Sequence, residues 1–222
     1  MNRRYFLKSS LVAALAAALP TVPGRAQAEA STSTTTNPTT TKEKKTMNIL
    51  VLTGSPRRQG NSAILADHFI RGASEAGHNV VRFDAALKSV HPCIACNNCG
   101  MDGPCVFEDD FDFVREHILP ADLVAFATPM YYFGFSAQLK AVIDRFYAIN
   151  GSIHRPRKAV LLMTYANNSK RDESPMATHY EVLLDYLGWT DAGRVIAPGV
   201  WPAGAVERTN FPEQAYQLGK KL

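Results

Sequence analysis

Five short apolar runs, separated by segments with helical spacing, constrain this chain more than any other feature. Asn48-Ile49-Leu50-Val51-Leu52 is continuously apolar rather than alternating, the pattern of a strand buried on both faces. The others are Val80-Val81-Arg82-Phe83, Leu123-Val124-Ala125-Phe126-Ala127, Ala159-Val160-Leu161-Leu162-Met163 and residues 192–197. Between the first two, Ile64, Leu65, Phe69 and Ala73 recur at three- and four-residue steps from Asn61, with Gly77 as a stop. A short helix is expected near 111–117. Ser136 is placed to cap another, whose apolar face is Leu139, Val142, Ile143, Phe146 and Tyr147. Ser174-Pro175 reads as a helix start, with the helix ending near Gly188, and residues 212–221 read as a last helix. Strands alternating with helices predict an α/β fold with a parallel sheet, right-handed crossovers and helices on both faces. Ligands of such sheets lie beyond the carboxyl ends of the strands, where the winding reverses.

Three loops leave those ends with useful chemistry. Gly54-Ser55-Pro56-Arg57-Arg58-Gln59-Gly60-Asn61-Ser62 suits a phosphate: two hydroxyls, two glycines that admit close backbone approach, arginine charge and a helix start with unpaired N–H groups. It is neither a dinucleotide fingerprint nor a P-loop. The plain alternative is a solvated turn. Thr128-Pro129-Met130-Tyr131-Tyr132-Phe133-Gly134 follows the third strand, and three aromatics in a row cannot all face a core. Thr164-Tyr165-Ala166-Asn167-Asn168 follows the fourth.

All four cysteines of the chain fall in one loop as Cys93-x2-Cys96-x2-Cys99-x5-Cys105. Such compact spacing lets four thiolates meet at one iron-sulfur cluster, while tetrahedral zinc, two disulfides or free thiols remain alternatives. The six histidines show no metal-binding spacing, and no strand-to-helix turn carries a hydrolase elbow.

The segment 55–62 after a buried first strand resembles the phosphate loop of NAD(P)H-dependent FMN reductases and the wider flavodoxin-like flavoprotein family, and the likeness extends over 47 to about 195. The resemblance implies a three-layer flavodoxin-like sandwich with strand order 2-1-3-4-5. It implies FMN held at its phosphate by Ser55, Arg57, Asn61 and Ser62, and at its ring by Pro129, Met130, Tyr131, Tyr132, Phe133, Gly134, Thr164, Tyr165 and Ala166. A flat amphipathic ring is well held by aromatic faces and the amides of a glycine-containing turn. No catalytic side chain is required, because the flavin carries the chemistry. The cysteine spacing resembles that of the iron-sulfur flavoproteins, which implies Cys93, Cys96, Cys99 and Cys105 as ligands of a 4Fe-4S cluster. The family further implies NAD(P)H as donor, a flavin, quinone or similar small acceptor, and a homodimer or higher homo-oligomer. An electron carrier working with redox-protein partners is a second reading, and a flavodoxin-like module without enzymatic activity is a third.

The start of the chain is a separate matter. Asn2-Arg3-Arg4-Tyr5-Phe6-Leu7-Lys8 resembles the twin-arginine signal of bacterial export, and the apolar run 9–19 is shorter than the roughly 20 residues a membrane span needs. Ala26-Gln27-Ala28 offers a cleavage site. Residues 1–28 are thus expected to be a leader, 29–46, with eight threonines and two serines, a disordered tether, and 47–222 the FMN-binding domain, periplasmic and without stable membrane insertion once cleaved. Twin-arginine export carries folded proteins, which suits a cofactor loaded beforehand. Arg3, Arg4, Lys8 and Arg25 account for the whole net charge of +4, so 20 basic face 20 acidic residues beyond residue 28. That balance argues against a nucleic-acid partner.

Overall fold

The computed structural model describes residues 45–222, so the expected leader and almost all of the tether lie outside the described residues. The five apolar runs form one parallel sheet in the order β2-β1-β3-β4-β5. These strands are β1 (Asn48–Thr53), β2 (Asn79–Asp84), β3 (Leu123–Pro129), β4 (Lys158–Thr164) and β5 (Thr190–Ala197). Every pairing is parallel, with Leu50 beside Val81 and Val124, and Phe126 beside Leu161.

The continuous apolar runs are explained by burial on both faces. Leu50, Leu52, Phe126 and Leu161 point into one core, with α2 (Phe111–Ile118), α3 (Ala137–Asp144) and α5 (Lys170–Leu187). Ile49, Val51, Ala125 and Leu162 point into the other, beneath α1 (Asn61–Glu75) and α6 (Phe211–Lys220). The central strands are therefore almost fully buried. By rough bookkeeping, each fully buried Leu, Ile or Phe contributes about 1.5–3 kcal/mol relative to exposure. One further turn of helix, α4 (Asn150–Ile153), precedes β4.

Two expectations are corrected. The helix expected to begin at Ser174-Pro175 begins five residues earlier. Ser169 is its cap, accepting a hydrogen bond from the Arg171 N–H at 3.2 Å, and Pro175 lies inside α5. Ser169 carries a different start signal, a serine cap with Asp172 and Glu173 in the first turn, where their charge suits the helix start. In the α3 region Leu139, Val142, Ile143 and Phe146 are buried as expected, but Tyr147 is 47 % exposed. The helix tightens into a 3-10 turn at residues 145–149, which changes the periodicity and swings Tyr147 outward.

Candidate functional site

The winding reverses between β1 and β3, since α1 covers one face and α2 and α3 the other. The loops after β1, β3 and β4 meet at the carboxyl ends of the sheet and line an open cleft of about 130 Å³.

The floor of the cleft comes from the loop after β1. Gly54 donates its N–H to the Ala127 carbonyl at 2.8 Å, and the Ser136 hydroxyl donates to the Gly54 carbonyl, also at 2.8 Å. A Cβ on Gly54 would stand 2.3 Å from Ser136 Oγ and 2.8 Å from Leu139 Cβ, so only glycine allows this approach. Gly60 plays the matching part at the far end, where a Cβ would stand 2.4 Å from Ser55 Oγ. Ser55 folds its hydroxyl back on the Arg57 backbone, accepting from its N–H at 3.1 Å and lying 3.0 Å from its carbonyl. This turn leaves the Arg57 side chain at the rim. The first intrahelical donor of α1 is Ile64, which bonds the Gly60 carbonyl, so the N–H groups of Asn61, Ser62 and Ala63 precede the helix ladder.

Ser62 is the most informative residue here. It is 1 % exposed, lines the cleft, and its hydroxyl has no hydrogen-bond partner among the described residues. A buried unsatisfied hydroxyl costs about 1–3 kcal/mol, and at a helix start an anion relieves that cost. The cradle therefore fits the phosphate of FMN on the molecule's own geometry. Asn61, expected beside it, has its side chain committed elsewhere. Its Nδ2 donates to the Val200 and Pro202 carbonyls at 3.0 and 2.9 Å, and its Oδ1 accepts from the Val206 N–H at 3.1 Å. Asn61 ties the loop after β5 to the site, and only its backbone N–H faces a phosphate.

The wall comes from the loop after β3. Tyr131 and Gly134 exchange N–H to carbonyl bonds at 3.2 Å each, closing a two-residue turn with Tyr132 at φ 46° and Phe133 at φ 64°. Positive φ at both central positions is the geometry usually left to Asn-Gly, and for aromatic residues it is strained. Tyr131, Tyr132 and Phe133 are 45 %, 100 % and 49 % exposed, so none of them fills the core. Pro129, Met130 and Tyr131 line the cleft, while Tyr132 and Phe133 line an adjoining open space of about 250 Å³. Gly134 closes the turn without lining either space.

Thr164, Tyr165 and Ala166 form the opposite wall. The Tyr165 ring turns inward, and its hydroxyl donates to Glu173 at 2.9 Å. Burial, with the Glu173 carboxylate beside it, pushes this phenol up to about 12. It stays neutral at any working pH, and the Tyr165 backbone is tied to β5 and its following loop, its N–H donating to the Ala197 carbonyl and its carbonyl accepting from the Val200 N–H, each at 3.0 Å. Val200 and Trp201 complete the cleft and were not anticipated from the sequence; Trp201, 76 % exposed, borders both spaces. They follow β5, whose carboxyl end obeys the same ligand rule as the other strands.

The four cysteines lie apart from this cleft. All carry free thiols, and all four border one narrow space of about 20 Å³. The segment bends through left-handed residues at Ala95, Asn97, Gly100 and Met101. As arranged, no three metal-binding side chains among the described residues stand close enough to hold one ion. The expected convergence on a single point is thus corrected to a looser grouping around one cavity. Four thiols suit a soft metal centre in kind.

A parallel sheet in this order with helices on both faces defines a flavodoxin-like fold. Residues 47–197 match the NADPH-dependent FMN reductase family, and the chain belongs to that family. An iron-sulfur flavoprotein of Archaeoglobus fulgidus is 29 % identical over 180 residues, covering 79 % of each chain. A second, from Methanocaldococcus jannaschii, is 35 % identical over 99 residues, covering 45 % of this chain and 51 % of its own. Among solved structures, the NAD(P)H:quinone oxidoreductase from Methanothermobacter marburgensis superposes with a TM-score of 0.65 at 21 % identity, over 80 % of this chain and 96 % of its own.

Proposed function

We propose that the protein is an FMN-dependent oxidoreductase that passes electrons from a reduced donor to a flavin, quinone or similar small acceptor. The observation that carries this reading is the buried, unpartnered Ser62 hydroxyl at the start of α1, just after a loop whose two glycines, Gly54 and Gly60, admit no Cβ. When bound, FMN supplies the redox step, accepting and releasing two electrons. The chain's own residues do the rest. Ser62, the first N–H groups of α1 and the Arg57 guanidinium hold the phosphate, while Ser55 fixes the turn that carries Arg57. Pro129 to Tyr131 and Thr164 to Ala166 bracket the ring. Trp201, Tyr132 and Phe133 bound the open side, where a planar acceptor would enter.

NAD(P)H is the donor that family membership supports, while export would favour a quinone or redox protein, because nicotinamides are scarce outside the cytoplasm. The segment 2–8 and the cleavage pattern at 26–28 support twin-arginine export to the periplasm, with FMN loaded beforehand. The iron-sulfur flavoprotein relatives and the four thiols around one cavity support a 4Fe-4S cluster at Cys93, Cys96, Cys99 and Cys105. Such a centre would let the protein act as an electron carrier to protein partners. Homo-oligomerisation rests on the family likeness. Among the described residues no helix is long and apolar enough to cross a membrane.

The test is the full chain purified without oxygen and supplied with excess FMN, followed by absorbance, iron and acid-labile sulfide. Flavin bands bleached by NADPH support the reductase, and an added broad band near 400 nm with stoichiometric sulfide supports the carrier. Absence of bound flavin would remove both. Arg3→Lys with Arg4→Lys should leave the protein in the cytoplasm; continued export would end the leader reading.

A further inference from the structure

The largest fully buried side chain outside the flavin cleft is a charged one. Arg145, at the end of α3, has a side chain only 1 % exposed and borders the cavity of the four cysteines. Its Nη1 donates to the Asp109 carboxylate at 2.8 Å and to the His91 carbonyl at 3.0 Å, and its Nη2 donates to the Phe107 carbonyl at 3.4 Å. His91 and Phe107 are the two ends of the cysteine segment. Their rings also stack, with centroids 4.8 Å apart and planes within 19°, and the guanidinium lies over Phe107 and Phe111.

Asp109 works from the other side. Its Oδ2 accepts from the His91 N–H at 2.9 Å as well as from Arg145, and its Oδ1 accepts from the Phe111 N–H at 3.1 Å. Its side chain is 4 % exposed. A buried ion pair is a poor stabiliser in general, because desolvation of two charges offsets their attraction. Retaining one here, with three of its hydrogen bonds reaching His91 and Phe107 at the neck of one loop, is better explained by what it positions. Closing a loop of this length costs chain entropy, which fixed charged hydrogen bonds at the neck offset.

We infer that the Arg145–Asp109 pair is a positioning clasp that shuts the neck of the 92–106 segment, so that its four thiols border one cavity instead of dispersing. Arg145 also borders the space that the four cysteines line, so the clasp and the thiols share one wall. The cobalt readout of the test below rests on the metal reading of the cysteines given above.

The experiment compares the full-length, FMN-loaded wild type with Arg145→Met, Arg145→Lys and Asp109→Asn under anaerobic conditions. Amide exchange is followed across residues 89–110, and cobalt(II) is titrated alone as a probe, read by its thiolate charge-transfer band. In Arg145→Met, exchange across 89–110 should rise at least about tenfold and cobalt affinity fall at least about tenfold, with FMN stoichiometry unchanged. Arg145→Lys should restore part of both, since it keeps the charge and loses the fork. Unchanged exchange across 89–110 in Arg145→Met overturns the clasp. Should Arg145→Met fail to fold, Asp109→Asn decides: exchange rising in this segment alone supports the clasp, and none refutes it. A wild type with the exchange contrast but no cobalt band keeps the clasp and removes the metal reading.

Discussion

Replacing Ser62 by alanine should move stability and flavin affinity in opposite directions. In the flavin-free protein the Ser62 hydroxyl is buried without a partner, so its removal takes away a desolvated polar group costing about 1–3 kcal/mol. Ser62→Ala should therefore leave the flavin-free protein as stable as wild type, or more stable. With FMN bound, the same hydroxyl donates to a phosphate, and hydrogen bonds to charged groups contribute about 1.5–3 kcal/mol. At 1.4 kcal/mol per factor of ten, the FMN dissociation constant should rise by roughly 10- to 100-fold. Quenching of FMN fluorescence on titration into flavin-free protein gives the affinity, and denaturant unfolding of the same sample gives the stability. A loss of more than about 1 kcal/mol of flavin-free stability, or wild-type affinity in the variant, would show that the hydroxyl serves the fold and not the phosphate.

Gly54→Ala puts a methyl 2.3 Å from Ser136 Oγ and should cost about 1–3 kcal/mol of stability by thermal unfolding, with weakened FMN binding. Replacing Tyr132-Phe133 by Asn-Gly relieves two strained positions and should raise the melting temperature, while turnover with a planar quinone falls; a lower melting temperature would refute the strain argument. Burial by itself would raise the Asp109 carboxyl, but hydrogen bonds from Arg145 and from the His91 and Phe111 N–H groups outweigh it and hold the group below the usual carboxylate range. A depressed folded-state value adds stability that is present above the unfolded value near 3.9 and lost as pH falls through the folded one. The urea midpoint should thus fall below about pH 4, and less steeply in Asp109→Asn.

The sheet was readable because a strand buried on both faces has no polar positions to confuse it, as in Leu50 to Leu52 and Val124 to Ala127. The cradle was readable because Gly54, Gly60 and Ser62 act within nine residues of one another. What distance hides was not readable. An asparagine at a helix start serves a phosphate or a remote backbone equally well, and the partners of Asn61 lie 139 to 145 residues away. Asp109 sits in the run Glu108-Asp109-Asp110, where nothing local singles out the one that meets Arg145. Trp201 lies in a loop with no recognisable motif, and only its place after the carboxyl end of β5 points to the site.

Helix α3 is capped at its start by Ser136, whose hydroxyl holds the Gly54 carbonyl of the loop after β1, and at its end by Arg145, which holds the neck of the cysteine segment. Its eight residues make a spacer of about 12 Å. The phosphate loop and the neck of the cysteine segment are therefore fastened to opposite ends of one short helix, so a displacement of that helix along its axis reaches both.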